Sequence, residues 1–154
     1  MIIVSDTSPI NYLILIREIE LLPKLFGQVI IPQAVSNELQ QTGTPAAVRD
    51  WIALRPQWLE IQNAKIIDHT MTLGAGEREA ISLAVELNAD LVLVDDRKAR
   101  KTAIERGLNV AGIINILESA SKRSLVNLAE TFQKIRQTNF RIAPDLLKEI
   151  LQRN

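Results

Sequence analysis

Five short apolar runs recur along the chain: Ile2–Ser5, Val29–Ile31, Leu59–Gln62, Leu91–Val94 and Asn109–Ala111. Each gap between them is long enough to hold at least one helix. Runs this short, rich in β-branched residues, suit strands buried on both faces. Strands separated by helices pair in parallel through right-handed crossovers. The fold class is therefore α/β, a three-layer α/β/α sandwich around a central parallel sheet of about five strands. The 154 residues make one domain, 1–154, with a helical C-terminal extension over about 125–154.

Local signals place the helices. Ser8 is expected as a cap with Pro9 at the first helical position, the helix running to Ile16. A second stretch, Glu18 to Phe26, is expected to break near Pro23. Pro32 opens a helix to Gln40, and Gly43-Thr44-Pro45 restarts one to Leu54. Gly74-Ala75-Gly76 reads as a turn before a helix over Glu77–Leu87, and Arg97–Arg106 is a further helix. The chain carries no cysteine, which excludes disulfides, thiol catalysis and Cys-ligated metals. No apolar run reaches the roughly 18 residues needed to span a membrane. The opening segment lacks a basic leader and contains Asp6, so a cytoplasmic location is expected.

In open sheets of this kind, ligands bind beyond the carboxyl ends of the strands. Asp6 follows the first strand, and Asp95 and Asp96 follow the fourth. Each acid alone reads more readily as a cap of the next helix than as a catalytic group, and three together at one edge shift that balance. Glu77 lies three and four residues before Ala80 and Ile81, on the core-facing side of its helix. A carboxylate there needs a partner, because desolvating an unpaired charge is costly. Glu38 lies at the margin of the stripe formed by Val35 and Leu39. Carboxylates brought together repel unless protonated or bound to a cation. Oxygen ligands with no Cys and one His suit Mg²⁺ or Mn²⁺ rather than Zn²⁺. Such ions serve in-line phosphoryl displacement by an activated water.

The overall formal charge is zero, but it is unevenly divided. Residues 1–96 hold 6 basic and 13 acidic residues, whereas 97–154 hold 12 basic and 5 acidic ones. The basic part begins with Arg97, Lys98, Arg100 and Lys101, directly after the acidic pair. Lys122, Arg123, Lys134, Arg136 and Arg141 lie further on. Such asymmetry hints at polyanion or metal binding, and a solvated helix face or ion pairs with a partner subunit is the alternative.

The blocks VSDTSPI, IIPQAVSNEL and LGAGEREAISLAVELNADLVLVDDRKAR, with the late NFRIAPDLLKEIL, resemble a PIN domain over nearly the whole chain. They are most similar to the prokaryotic subgroup related to the VapC toxins. The resemblance implies a metal-dependent ribonuclease, using Mg²⁺ or Mn²⁺ and leaving 5′-phosphate and 3′-hydroxyl ends. It implies catalytic acids at Asp6, Glu38, Glu77, Asp95 and Asp96, with Asp6, Asp95, Glu38 and Glu77 as metal ligands. Glu77 stands where many PIN domains carry Asp, and Arg97 where many carry a further acid. Thr7 matches the hydroxyl residue that orients the first carboxylate or a water. With RNA implied as the substrate, Arg97, Lys98, Arg100 and Lys101 become candidates for contacts to its phosphates, and the later basic residues are further candidates. A small antitoxin partner is implied, and a homodimer through the apolar stretches Tyr12–Ile16 and Ile19–Leu25. The other readings are an inactive module binding RNA or protein, and an RNA-processing nuclease without an antitoxin.

Other residues are less informative. A haloacid-dehalogenase-type phosphatase would want an acid where Ser8 stands. His69, the only histidine, lies in a polar stretch, Trp51 and Trp58 read as packing residues, and the GAGE segment lacks the lysine of a phosphate loop.

Overall fold

The computed structural model describes residues 1–154. The elements run β1 (Ile3–Ser5), α1 (Thr7–Leu15), α2 (Leu21–Phe26), β2 (Val29–Ile31), α3 (Gln33–Leu39), α4 (Ala46–Ala53) and β3 (Leu59–Ile61). They continue with α5 (Ala75–Leu87), β4 (Leu91–Leu93), α6 (Arg97–Glu105), β5 (Val110–Ala111), α7 (Ile113–Lys122), α8 (Leu128–Arg136) and α9 (Pro144–Gln152). All strand pairs are parallel, in the order β3-β2-β1-β4-β5. The sheet flanked by helices is the expected α/β sandwich.

Strand side chains alternate between two cores, as the two-residue period requires. Ile3, Val29, Ile31 and Leu93 enter a cluster of 24 buried residues on one face. Val4, Val92 and Val94 enter a cluster of 11 on the other, with Ala80, Ile81 and Leu83 of α5 and Ala99 and Ala103 of α6. The larger core also takes Phe132, Ile135, Leu147 and Ile150 from α8 and α9. The C-terminal helices are thus held by the same apolar burial that holds β1, each such side chain contributing about 1.5–3 kcal/mol. Leu13, Ile14, Ile16, Leu21 and Leu22 lie in that core too, so burial within the chain accounts for much of the apolar content of α1 and α2.

Several helix starts differ from the sequence expectation. The first helix begins at Thr7, with Asp6 in the cap position, and Pro9 is third in the helix. Pro23 is likewise third in α2 and does not break it. In the first turn the missing N–H removes no intrahelical bond. Ala75 and Gly76 are the first turn of α5 rather than a separate turn. The segment between β3 and α5 is fastened by an Asp68–Arg106 ion pair at 3.0 Å and by the Ser82 hydroxyl, which accepts the Asp68 N–H at 3.0 Å. No helix is long and apolar enough to cross a membrane.

Candidate active site

The strand order reverses at β1: β2 and β3 lie on one side of it, β4 and β5 on the other. The crevice at such a reversal is where α/β sheets bind ligands. Asp6 leaves β1 there and Asp95 follows β4. The two strands are in direct register, with Ser5 opposite Leu93, and the Asp6 N–H donates to the Leu93 carbonyl at 2.9 Å.

Asp6 is only 4% exposed. Its side chain makes no capping bond to α1, and its Oδ1 is buried without any hydrogen-bond partner. Burial pushes the carboxyl up to about 7; the charges of Glu77, Glu38 and Asp95 add to the shift, and the Thr7 N–H opposes it. Asp95 Oδ1 accepts the Ile113 N–H at 2.8 Å, at the start of α7. Its Oδ2 is buried and unpartnered. Burial raises this carboxyl to about 6, although the Ile113 amide and the Arg100 guanidinium both favour the ionised form. Desolvation therefore outweighs a helix N-terminus and a nearby cation together.

Glu38 Oε1 accepts the Gly76 N–H at 3.2 Å, at the N-terminus of α5, and Oε2 accepts the Thr7 hydroxyl. Thr7 thus orients Glu38 through its side chain. Glu77 is half-buried, and its Oε1 accepts the Gly74 N–H at 3.4 Å across its own helix start. Burial raises its pKa, and so do the charges of Asp96 and Glu38; the Gly74 amide and Lys98 lower it. Asp96 is exposed and caps α6, accepting the Ala99 N–H at 2.9 Å. The capping alternative therefore describes Asp96 and fails for Asp6.

Two glycines escaped the sequence reading of the site. A Cβ on Gly76 would stand 2.8 Å from Glu38 Cδ and 2.9 Å from its Oε1. A Cβ on Gly112, the cap of α7, would stand 2.5 Å from Asp95 Oδ1 and 2.7 Å from Arg100 Nη1. Each glycine lets a carboxylate close on a helix N-terminus, a charge–dipole contact of about 0.3–1 kcal/mol at exposed sites and up to about 2 when partly buried. The pattern Gly74-Ala75-Gly76 was a visible signal for one. For Gly112 the only signal was a glycine between a strand and a helix. Arg100, expected on the RNA face, instead donates to the Val94 carbonyl at 3.2 Å beside Asp95. Arg97, Lys98 and Lys101 are exposed, and their side chains make no hydrogen bond or ion pair. His69 is exposed in the loop before α5. Trp51 and Trp58 pack on each other, ring centroids 5.8 Å apart, against the larger core.

A family model described as a PIN domain matches residues 2–154. The chain belongs to the PIN-domain family. Among solved structures, a PilT N-terminus domain protein from the hyperthermophilic archaeon Sulfolobus solfataricus P2 shares this fold. It is 25% identical, with a TM-score of 0.56 over 78% of this chain and 93% of that one. No curated protein matches the chain significantly. The PIN fold is typically a nuclease fold, and PIN domains generally use divalent metal ions.

The donor set at the edge of this PIN domain suits such an ion. Two buried carboxylate oxygens, on Asp6 and Asp95, lack any donor. No three His, Cys, Asp or Glu side chains are grouped closely enough to form a complete ligand set. Magnesium is commonly held by only one or two carboxylates, with water and substrate phosphate supplying the rest.

Proposed function

We propose that this PIN domain is a Mg²⁺- or Mn²⁺-dependent endoribonuclease. The observation that carries the reading is the pair of buried, donor-free oxygens, Asp6 Oδ1 and Asp95 Oδ2, at the switch in strand order. A desolvated carboxylate with no partner is costly to keep ionised, and a divalent cation relieves that cost. Asp6 and Asp95 would hold the ion, with Glu38 and Glu77 contributing directly or through water. When bound, such an ion makes a coordinated water nucleophilic near neutral pH and stabilises charge on the phosphoryl oxygens.

The chain's own groups have distinct tasks. The Ile113 amide and Arg100 fix Asp95, while Thr7 and the Gly76 amide fix Glu38. Glu77, with its pKa raised by burial beside Asp96 and Glu38, is suited to accept a proton from the attacking water. Hydrolysis in this sense leaves 5′-phosphate and 3′-hydroxyl ends. Asp96 acts through the helix cap and its charge on Glu77 rather than as a buried ligand.

One observation favours an inert module instead: the acids are not grouped as a ready-made three-ligand site. Cleavage of single-stranded RNA in Mn²⁺, wild type against Asp6→Asn, separates the readings. Loss of cleavage in the variant is expected, and equal activity in the two proteins contradicts the assignment.

The block resemblance to VapC-type toxins extends the proposal to the toxin of a type II toxin–antitoxin pair acting in the cytoplasm, with a homodimer as the assembly. Co-purification with the product of a short neighbouring reading frame tests the pairing, and light scattering on a sizing column tests the dimer. A lone, monomeric protein that still cleaves RNA contradicts both and leaves the nuclease assignment intact.

A further inference from the structure

A groove of about 850 Å³ opens directly on Asp95 and runs away from it between α6, α7 and α9. Gly112 and Asn115 are at its head. One wall is α6, which presents Arg97, Arg100 and Lys101. These positions recur at i, i+3 and i+4, so they share one helix face at about 1.5 Å of rise per residue. The opposite wall is the segment from Phe140 to Ala143 with α9 behind it, and it adds Arg141.

That wall is fixed in place. Phe140 packs edge-on against Tyr12 of α1, centroids 5.0 Å apart at 77°, and the Tyr12 hydroxyl donates to Asn139 at 2.8 Å. At the far end Arg153 and Asn154 bond to Glu118 of α7 at 2.8 and 2.9 Å. Glu118, a carboxylate of the groove, is therefore already paired. The side chains of Arg97, Lys101 and Arg141 have no hydrogen bond or ion pair. Glu105 is the one unpaired carboxylate of the α6 wall, set against these three cations. Apolar side chains line the groove as well: Ile104 is 57% exposed and Leu146 is 44% exposed.

Unpaired cations together with exposed aliphatic side chains suit a strand that offers both phosphates and unstacked bases. The other side of the crevice, on α3 and α5, carries Glu38 and Glu77 and repels phosphate. We propose that the groove between α6 and α9 seats single-stranded RNA on one side of the bond to be cut. Arg97, Lys101 and Arg141 contact phosphates, and Ile104 and Leu146 support bases. Arg100 is the positioning residue between this groove and Asp95. The proposal rests on the nuclease reading above. Continuity with Asp95 favours substrate over an acidic protein as the occupant.

The test measures binding of a short labelled oligouridine by fluorescence anisotropy over a salt series, with Mn²⁺ present. Asp6→Asn serves as the parent because it is expected to bind without cutting. Added to it, Arg141→Ala and Lys101→Ala should each weaken binding and reduce the salt slope by about 0.7, the value of one single-strand phosphate contact. Leu146→Glu, at an exposed site with its melting temperature checked, should weaken binding about tenfold through lost base support and added phosphate repulsion. Lys24→Ala on α2 should match the parent. A parent that binds RNA while all three groove variants bind equally well overturns the inference alone and assigns the groove to a protein partner or to no ligand. A parent and wild type that neither bind nor cleave RNA overturn the nuclease reading as well.

Discussion

Replacing Asp6 by Asn should change how stability depends on pH. The carboxyl ordinarily titrates at 3.8 and is raised to about 7 in the fold, chiefly by burial. Between those values the folded state binds a proton that the unfolded chain has released, so stability falls as pH rises. The contribution is complete below the unfolded value and is lost as pH climbs through the folded one. At 1.36 kcal/mol per pH unit, the full cost of ionising Asp6 in the metal-free fold is roughly 4 kcal/mol. About 3 kcal/mol of it falls between about pH 5 and about pH 8. Asp6 makes no side-chain capping bond, so Asn loses no cap to confuse the comparison. Denaturant unfolding in chelator should show wild type losing about 3 kcal/mol more than Asp6→Asn over that interval. The Asp95 contribution, raised to about 6, persists in both proteins. Parallel stability–pH curves for the two proteins would refute the claim that Asp6 is a desolvated, uncompensated acid.

Gly76→Ala and Gly112→Ala should each cost about 1–3 kcal/mol in chemical denaturation, because the new methyl meets a fixed carboxylate rather than a free side-chain end. Both should also lower RNA cleavage, whereas Gly43→Ala, with open space around it, should not. Phe132→Ala should cost about 3–5 kcal/mol, since the ring is fully buried in the larger core. A loss under about 1 kcal/mol would mean α8 is only loosely docked.

Much of the architecture was legible because both faces of the sheet are buried. Stretches such as Ile2–Val4 and Leu91–Val94 are apolar throughout, which marks them as central parallel strands without knowledge of their partners. The acids of the candidate site were legible for the same reason: Asp6 and Asp95 stand at strand ends, and those ends meet at the switch in strand order. What each acid touches was not legible. Asp95 and Asp96 are neighbours in sequence, yet one leans on α7 and the other caps α6, a choice made by long-range packing. Gly76 serves a carboxylate 38 positions away, and a glycine announces nothing about its partner until the fold supplies one. Arg100 looked like one more cation on an exposed face, but its place in the α6 turn points it at the Val94 carbonyl and Asp95. The first helix began before Ser8 because proline is tolerated anywhere in a first turn, so Pro9 located the helix without fixing its start.

The central claim is that one oxygen of each carboxylate, Asp6 Oδ1 and Asp95 Oδ2, is left without a donor in order to hold a cation. Titration calorimetry with Mn²⁺ on the metal-free protein measures this directly. Wild type should bind with release of protons, because carboxyls raised to about 7 and about 6 must ionise. Asp6→Asn and Asp95→Asn should each lose that binding while keeping their fold. No binding heat from wild type in buffers of different ionisation enthalpy, or unchanged binding in both variants, would contradict the account.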